Sequence, residues 1–254
     1  MLLTIDIGNT MTDFALFEGE EATHFHRIRT HGVSTDEEVA TAFSLFLEAQ
    51  HLDASKVNGA IISSVVPALT ASYEKTCSLL FGIEALVLSP ETETGIRIET
   101  DNPREVGADM IAAAVGAFDR FGAPCIVADC GTANKVFLLD KDGAFAGCVI
   151  GAGLGLQLSS LSKDTALLPE ISPQIPPQIL GKNTPDCMGS GITYGNAFAV
   201  KALSDGIEKE AGYPCKRILT GGYSAFIAEL LPEFAYEPHL IHSGLRGIYL
   251  RNKK

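Results

Sequence analysis

The stretch LTIDIGNT at residues 3–10 returns, in altered form, as IVADCGTA at residues 126–133. Each copy is an apolar run that ends in an aspartate and continues into a glycine with Asn or Thr beside it. A second apolar run and an acidic glycine turn follow in both copies, as FALFEGE at 14–20 and VFLLDKDG at 136–143. This pattern predicts a strand, a tight turn and a return strand, twice in one chain.

The two copies are separated by close to half of the 254-residue chain. A duplication of this length predicts an α/β fold of two similar lobes that face one another. We expect an N-terminal lobe at 1–120, which carries the first aspartate-ended strand, and a C-terminal lobe at 121–254. A glycine and a proline, Gly122 and Pro124, interrupt the chain near this boundary.

Hydrophobic periodicity and capping residues predict the remaining elements. They are a helix from about Thr35, capped by Ser34 or Thr35; a buried strand at 59–65; helices at 68–80 and from 103 or 104 to about 118; a buried strand, loop and helix within 143–162; a strand at 217–219; and a helix at 223–231.

Composition excludes several classes of protein. Hydrophobic residues make up 46% and charged residues 20%, which is ordinary for a globular chain. The net charge of −12 argues against a nucleic-acid partner and against an anionic membrane surface. The six cysteines form no CxxC pair and the start MLLTID has no basic region, so we expect reduced thiols, no secretory signal and a cytoplasmic protein.

The Asp6–Thr10 turn is the strongest candidate for chemistry. Gly8 lets the backbone approach a phosphate closely, Asn9 and Thr10 offer hydrogen-bond donors, and the Asp6 carboxylate suits a hydrated Mg²⁺. The alternative is a simple hairpin turn, in which the same residues are common. The second copy at Asp129 favours nucleotide binding.

Two further segments allow both a functional and a purely structural interpretation. Asp109, near a predicted helix start, is placed to accept a hydroxyl proton in phosphoryl transfer, or only to satisfy backbone donors. The turn Thr220-Gly221-Gly222 suits contact with a nucleotide, or is a plain tight turn.

Ordered motifs along nearly the whole chain resemble those of type III pantothenate kinases, in the acetate and sugar kinase/Hsp70/actin superfamily. The motifs are DIGNT at 6–10, ISSVVP at 62–67, DNPREVGAD at 101–109, DCGTA at 129–133, GCVIGAGLGLQLSSLSKDTALLP at 147–169, GKNTPDCMGSGITYG at 181–195, TGG at 220–222 and GLRGIYLRN at 244–252.

The resemblance implies two ribonuclease-H-like lobes around a nucleotide cleft, in a homodimer. It implies ATP-dependent phosphorylation of pantothenate to 4'-phosphopantothenate, the first step of coenzyme A biosynthesis, with Mg²⁺ and a monovalent cation, K⁺ or NH₄⁺. The implied roles are ATP binding by Asp6, Ile7, Gly8, Asn9, Thr10, Met11, Thr12, Asp13 and Thr132; Mg²⁺ binding through water by Asp6; K⁺ binding by Asp129; general-base catalysis by Asp109; and substrate binding by Thr100, Gly107, Ala108, Asp109, Met110 and Thr184.

Three positions depart from the pattern of the family. Met110 stands where the family usually has Arg, Thr100 where it has Tyr, and Asn134-Lys135 where it has two hydroxyl residues. Lys135 is a candidate for a replacement cation. The departures leave two alternatives open: a non-catalytic homologue that binds nucleotide and acts through a partner, and a kinase for another small hydroxylated acceptor.

Overall fold

The computed structural model describes residues 1–30 and 35–253, so the predicted cap at Ser34 lies outside the described residues. The chain divides into two compact units. The first contains Met1–Ile96, Asp101–Asp119 and Leu240–Lys254, and the second contains Arg97–Thr100 and Arg120–His239. The C-terminal segment therefore packs with the first unit, whereas the sequence assigned it to the second lobe.

Ten strands and six α-helices occur within the described residues. The strands are β1 (Leu2–Ile7), β2 (Met11–Glu18), β3 (Glu21–Arg29), β4 (Gly59–Ser64), β5 (Leu86–Val87), β6 (Cys125–Cys130), β7 (Ala133–Leu139), β8 (Phe145–Ala152), β9 (Lys216–Thr220) and β10 (Ala235–Tyr236). The helices are α1 (Asp36–Ala49), α2 (Pro67–Phe81), α3 (Ala108–Phe121), α4 (Leu154–Lys163), α5 (Thr184–Ala211) and α6 (Leu240–Asn252).

The two units contain the same sheet. In the first, the strand order is β3-β2-β1-β4-β5, and in the second it is β8-β7-β6-β9-β10. Each has three antiparallel strands joined in sequence, followed by two strands that run parallel to the first. The predicted α/β fold of two similar lobes is confirmed at the level of topology.

An aromatic cluster forms the core on one face of the first sheet. Phe14 of β2 packs against Phe43 of α1, with ring centroids 4.8 Å apart, and against Tyr73 of α2 at 6.2 Å. Thr35 caps α1 in a capping box with Glu38, as its sequence position predicts. Burial of these side chains holds α1 and α2 on this face of the sheet.

The opposite face of the first sheet is covered by α6, which in turn crosses α3. Thr4 Oγ1 of β1 lies 2.8 Å from His242 Nδ1 of α6. At the crossing, a Cβ on Gly244 would overlap the carbonyl oxygen of Ala112, and one on Gly116 would overlap that of Leu240. The two helix backbones are therefore in direct contact, which only glycine at both positions permits.

Helices α4 and α5 pack on one face of the second sheet. Apolar side chains of β6, β7 and β9 meet those of the two helices in one buried cluster, which includes Ile126, Val136, Leu154, Ile192 and Leu219. This cluster holds β6 in place, and β6 carries the second aspartate, Asp129, near its end.

Three predicted elements differ in detail. The helix expected from 103 or 104 begins at Ala108, after a short 3₁₀ turn at Pro103–Glu105. The helix expected at 223–231 is two 3₁₀ turns. The strand, loop and helix expected within 143–162 is found as β8 and α4, but β8 is mostly exposed because it is the edge strand of its sheet.

All six cysteines are free thiols. Cys77, Cys125 and Cys130 are buried, Cys215 is partly buried, and Cys148 and Cys187 are exposed. Burial raises the pKa of Cys77 and of Cys125 to about 12. In residues 1–30 and 35–253, no helix has the length and apolar character needed to cross a membrane.

We predict that Gly244→Ala destabilises the protein by about 1–3 kcal/mol, because the new methyl group overpacks the contact between α3 and α6. The midpoint of thermal unfolding, followed by circular dichroism, falls by roughly 2–4 °C for each kcal/mol. Gly206→Ala in α5 is the matched control, because a Cβ there has open space. It raises stability by about 0.5–1 kcal/mol. Equal effects at both positions would contradict the close crossing.

Candidate active site

The first hairpin presents its tip to solvent. The N–H of Gly8 donates to the carbonyl oxygen of Met11 at 3.0 Å, which closes the turn between β1 and β2. A Cβ on Gly8 would lie 2.9 Å from the same oxygen, so a side chain there would force the turn open. Asn9 and Thr10 are exposed. The tip of the hairpin is therefore accessible from solvent.

Asp6 and Asp13 lie directly opposite each other in the antiparallel pair of β1 and β2. Arg27 of β3 binds Asp13 through two hydrogen bonds, from Nε at 2.5 Å and from Nη2 at 3.1 Å. On the other side of Asp6, Ser63 of β4 is its register partner. The Ser63 hydroxyl is fully buried and has no hydrogen-bond partner within the described structure. This strand end thus collects two carboxylates and an unsatisfied hydroxyl.

The second hairpin repeats this arrangement with a different charge. Asp129 ends β6, and its opposite residue on β7 is Lys135. Lys135 Nζ donates to Asp129 Oδ2 at 2.8 Å, and only 18% of the lysine side chain and 5% of the aspartate side chain are exposed. A buried pair of this kind keeps both groups charged, because each compensates the other.

The turn after β9 closes over the same carboxylate. Gly221 has a φ of +98°, and a Cβ there would overlap Asp129 Oδ1 and approach the backbone of Cys130. The N–H of Tyr223 donates to the carbonyl oxygen of Cys130 at 2.8 Å. The TGG turn of the sequence is therefore packed against the end of β6.

The turn at Gly131-Thr132 is supported from below by the start of α4. The N–H of Gly153 donates to the carbonyl oxygen of Thr132 at 3.0 Å, and a side chain on Gly153 would overlap this turn. Gly153 thus allows close packing between this turn and the start of α4.

A chain of amides links β7 to α5 and α4 beside this turn. Asn134 Nδ2 donates to Asn196 Oδ1 at 2.6 Å, and Asn196 Nδ2 donates to Gln157 Oε1 at 3.0 Å. The Asn134 Oδ1 atom is buried without a hydrogen-bond partner within the described structure. Sequence reasoning missed Asn196 and Gln157, because only the packing of two helices brings them to the strand.

Asp109 lies in the first turn of α3, as its sequence position predicts. It is 9% exposed, and its Oδ1 accepts a hydrogen bond from the N–H of Met110 at 2.8 Å. A Cβ on Gly107 would lie 2.6 Å from this oxygen, so glycine leaves room for the carboxylate. The Met110 side chain is itself buried.

The other expected substrate residues lie in the second unit. Thr100 has a buried hydroxyl oxygen without a hydrogen-bond partner within the described structure. Thr184 is the first residue of α5, directly after the cap at Asn183, whose Oδ1 accepts from the N–H of Asp186. Gly107, Ala108, Asp109 and Met110 belong to the first unit.

Residues 2–205 match the family model described as type III pantothenate kinase. The chain belongs to this family. It is similar over its whole length to type III pantothenate kinases from Geobacillus sp. (strain WCH70), at 35% identity over 99% of this chain and 98% of the relative, and from Syntrophobacter fumaroxidans, at 37% over 100% and 99%. The relative from Thermomicrobium roseum is 36% identical over 99% and 97%.

Solved structures with lower identity share the fold. Component A of the (R)-2-hydroxyglutaryl-CoA dehydratase from Acidaminococcus fermentans has a TM-score of 0.58 at 15% identity, covering 98% of this chain and 96% of its own. The ethanolamine utilization protein EutJ from Carboxydothermus hydrogenoformans has a TM-score of 0.54 at 13% identity, covering 98% and 88%. This type III pantothenate kinase family member thus has the actin-like ATPase and sugar kinase fold.

Proposed function

We propose that this protein transfers the γ-phosphoryl group of ATP to the hydroxyl group of pantothenate, giving 4'-phosphopantothenate and opening coenzyme A biosynthesis. The observation that carries the proposal is the match to type III pantothenate kinases over the whole chain at about 35% identity. Phosphoryl transfer needs little covalent chemistry from the protein, so the residues act mainly by positioning and by charge.

In this proposal the hairpin from Asp6 to Asp13 is the phosphate loop. Its support is local: Gly8 makes the tight turn, and Asn9 and Thr10 are exposed at its tip. Backbone N–H groups and short polar side chains are the donors that phosphate oxygens accept from. Thr132, in the corresponding turn of the second hairpin, is proposed as a further contact with ATP.

A divalent metal accompanies ATP in kinases of this family, and we propose Mg²⁺ held through water by Asp6. The residues fit this ion, because Asp6 faces a second carboxylate and the buried Ser63 hydroxyl, and Mg²⁺ prefers oxygen ligands. Within residues 1–30 and 35–253 no group of three His, Cys, Asp or Glu side chains could hold a metal alone. That agrees with an ion shared with phosphate oxygens and water. When bound, the metal neutralises charge on the transferred group.

Asp109 is proposed as the general base that accepts the proton of the pantothenate hydroxyl. The hydrogen bond from the Met110 N–H fixes one carboxylate oxygen at the start of α3. Thr100, Gly107, Ala108, Met110 and Thr184 are proposed to line the acceptor site. The unsatisfied Thr100 hydroxyl supports this, because a buried hydroxyl gains a partner when substrate binds.

The second candidate function is a homologue with a different acceptor, or one that binds nucleotide without catalysis and acts through a partner. It is favoured by Met110, which is buried and uncharged where the family usually has an arginine. An arginine there could pair with the pantothenate carboxylate, an interaction worth roughly 1.5–3 kcal/mol. Methionine offers packing only.

We propose further that the protein works as a cytoplasmic homodimer. The supporting surface is the exposed edge strand β8, where Val149 and Ile150 are 37% and 61% exposed, together with the exposed Leu156 of α4. Phe145, at the start of β8, forms a bridge to Ile98, and Val149 and Ile150 lie beyond it. An apolar edge strand on a globular protein is expected to be covered by a partner.

The proposed reaction is tested by ADP release from purified protein with ATP and Mg²⁺ in a KCl buffer. We expect release to depend on pantothenate, with 4'-phosphopantothenate identified by mass spectrometry, and to stop when EDTA removes the metal. A panel of other small hydroxylated acceptors is assayed in parallel. Release with another acceptor only, or with none while nucleotide still binds, would replace the proposed function by the corresponding second candidate.

Asp109→Asn should lower kcat by about 10²–10⁴-fold, because the amide cannot accept the hydroxyl proton. The KM for ATP should change by less than about twofold, since the ATP residues are untouched. Asp119→Asn is the matched control on the same helix, where the carboxylate binds Arg251 at the surface; its kcat should stay near that of the wild type. An active Asp109→Asn enzyme would exclude the proposed base.

Ile150→Lys should convert the protein from dimer to monomer in light scattering coupled to size-exclusion chromatography. The reason is that dimer formation would bury the new lysine charge on β8, and burying an unpaired charge costs free energy. Leu79→Lys is the control, because Leu79 is 69% exposed on α2, which belongs to the first unit. A wild-type mass equal to the single 26.9 kDa chain would contradict the dimer.

A further inference from the structure

The Asp129 carboxylate is compensated from within the chain. One oxygen, Oδ2, accepts from Lys135 Nζ at 2.8 Å, and the backbone of Gly221 closes tightly over the other, Oδ1. The carboxylate side chain is 95% buried, and the lysine ammonium adds one positive charge at this position. A K⁺ ion at the same carboxylate would lie beside that ammonium, and like charges in a buried environment repel strongly. The residues around Asp129 therefore do not fit the expected monovalent cation.

The duplicated hairpins show that this charge is a specific feature of the second one. Asp13 lies opposite Asp6 on the first hairpin, and Lys135 lies opposite Asp129 on the second. The first strand end thus carries two carboxylates and one guanidinium, that of Arg27 on Asp13, so negative charge is in excess among these three residues, which suits an added cation. The second carries a carboxylate and an ammonium, whose charges already balance.

A lysine is chemically suited to this position. Its ε-ammonium is a compact point charge with three N–H donors on a flexible stem. It is the tethered counterpart of the free NH₄⁺ ion, which the resemblance gives as an alternative to K⁺. Because Lys135 is part of β7, its ammonium is present at Asp129 whatever the concentration of K⁺ or NH₄⁺ in the solution.

We propose that the Lys135 ammonium occupies the position of the monovalent cation at Asp129, so that this enzyme works without K⁺ or NH₄⁺. The activity readout of this proposal rests on the proposed pantothenate kinase function, whereas the ion-binding readout does not.

The test measures kcat of the wild type and of Lys135→Thr in tetramethylammonium chloride and in KCl at equal ionic strength. For the wild type we expect the two values to agree within about twofold. For Lys135→Thr we expect a loss of at least about tenfold in tetramethylammonium chloride, because a buried carboxylate is left uncompensated, and recovery in KCl. Lys135→Arg should remain independent of K⁺, because it keeps the charge.

Lys141→Thr is the matched control. It makes the same substitution at an exposed lysine in the turn that follows β7, so its activity should show no K⁺ dependence.

Binding of Tl⁺, a mimic of K⁺, followed by thallium NMR, supplies the readout that needs no turnover. Lys135→Thr should bind Tl⁺, and the wild type should not. If Lys135→Thr does not fold in either salt, kcat and Tl⁺ binding of the wild type still test the proposal. Activation of the wild type by about tenfold in KCl, or Tl⁺ binding to it that Asp129→Asn abolishes, would overturn the proposal. Absence of ADP release in every salt would refute the kinase function instead, while the Tl⁺ arm would still report on Asp129.

Discussion

A carboxylate at the end of a buried strand must have positive charge beside it, and this requirement shapes both sheets. A buried, uncompensated carboxylate would cost several kcal/mol or lose its charge. On the second sheet the requirement is met by Lys135, 2.8 Å from Asp129. On the first sheet Arg27 binds Asp13, and Asp6 shares its strand end with that pair and with the Ser63 hydroxyl. The same hairpin, used twice, thus carries two different distributions of charge.

Glycine provides the second constraint, since it allows backbones to approach where a side chain would not. Gly244 and Gly116 bring α6 and α3 into backbone contact, and α3 begins with the turn that carries Asp109. Gly221 does the same at Asp129, and Gly107 leaves room for the Asp109 carboxylate. Packing and candidate chemistry therefore depend on the same small residues.

Local signals predicted the duplicated hairpins well, because an apolar strand, a glycine turn and a return strand lie within about 16 residues of sequence. Helix α5 was missed, although it spans 28 residues, since its glycines and polar side chains obscure the apolar periodicity. Strand β3 was missed because two of its four partly buried positions are histidines, so this edge strand lacks a continuous apolar face. The exposure of β8 depends on its position at the edge of the sheet, and that position cannot be predicted from local sequence.

The candidate site divides in the same way. The Asp6–Asp13 hairpin and the helix-start position of Asp109 followed from local sequence. The pairing of Asp129 with Lys135 depends on the length of the turn. Cys130 lies opposite Asn134, so three residues separate the paired strands, whereas a two-residue turn at Gly131-Thr132 would have placed Asn134 opposite Asp129. Ser63 needed the parallel pairing of β1 with β4, which is distant in sequence.

Anomalous scattering of Mn²⁺, in a crystal grown with a non-hydrolysable ATP analogue, tests these charge distributions most directly. We expect one Mn²⁺ peak beside the analogue's phosphates, linked to the Asp6 carboxylate through water, and an ion pair of Lys135 with Asp129 that stays intact. A Mn²⁺ peak on Asp129, with Lys135 displaced, or phosphates bound away from the Asp6 hairpin, would contradict this expectation.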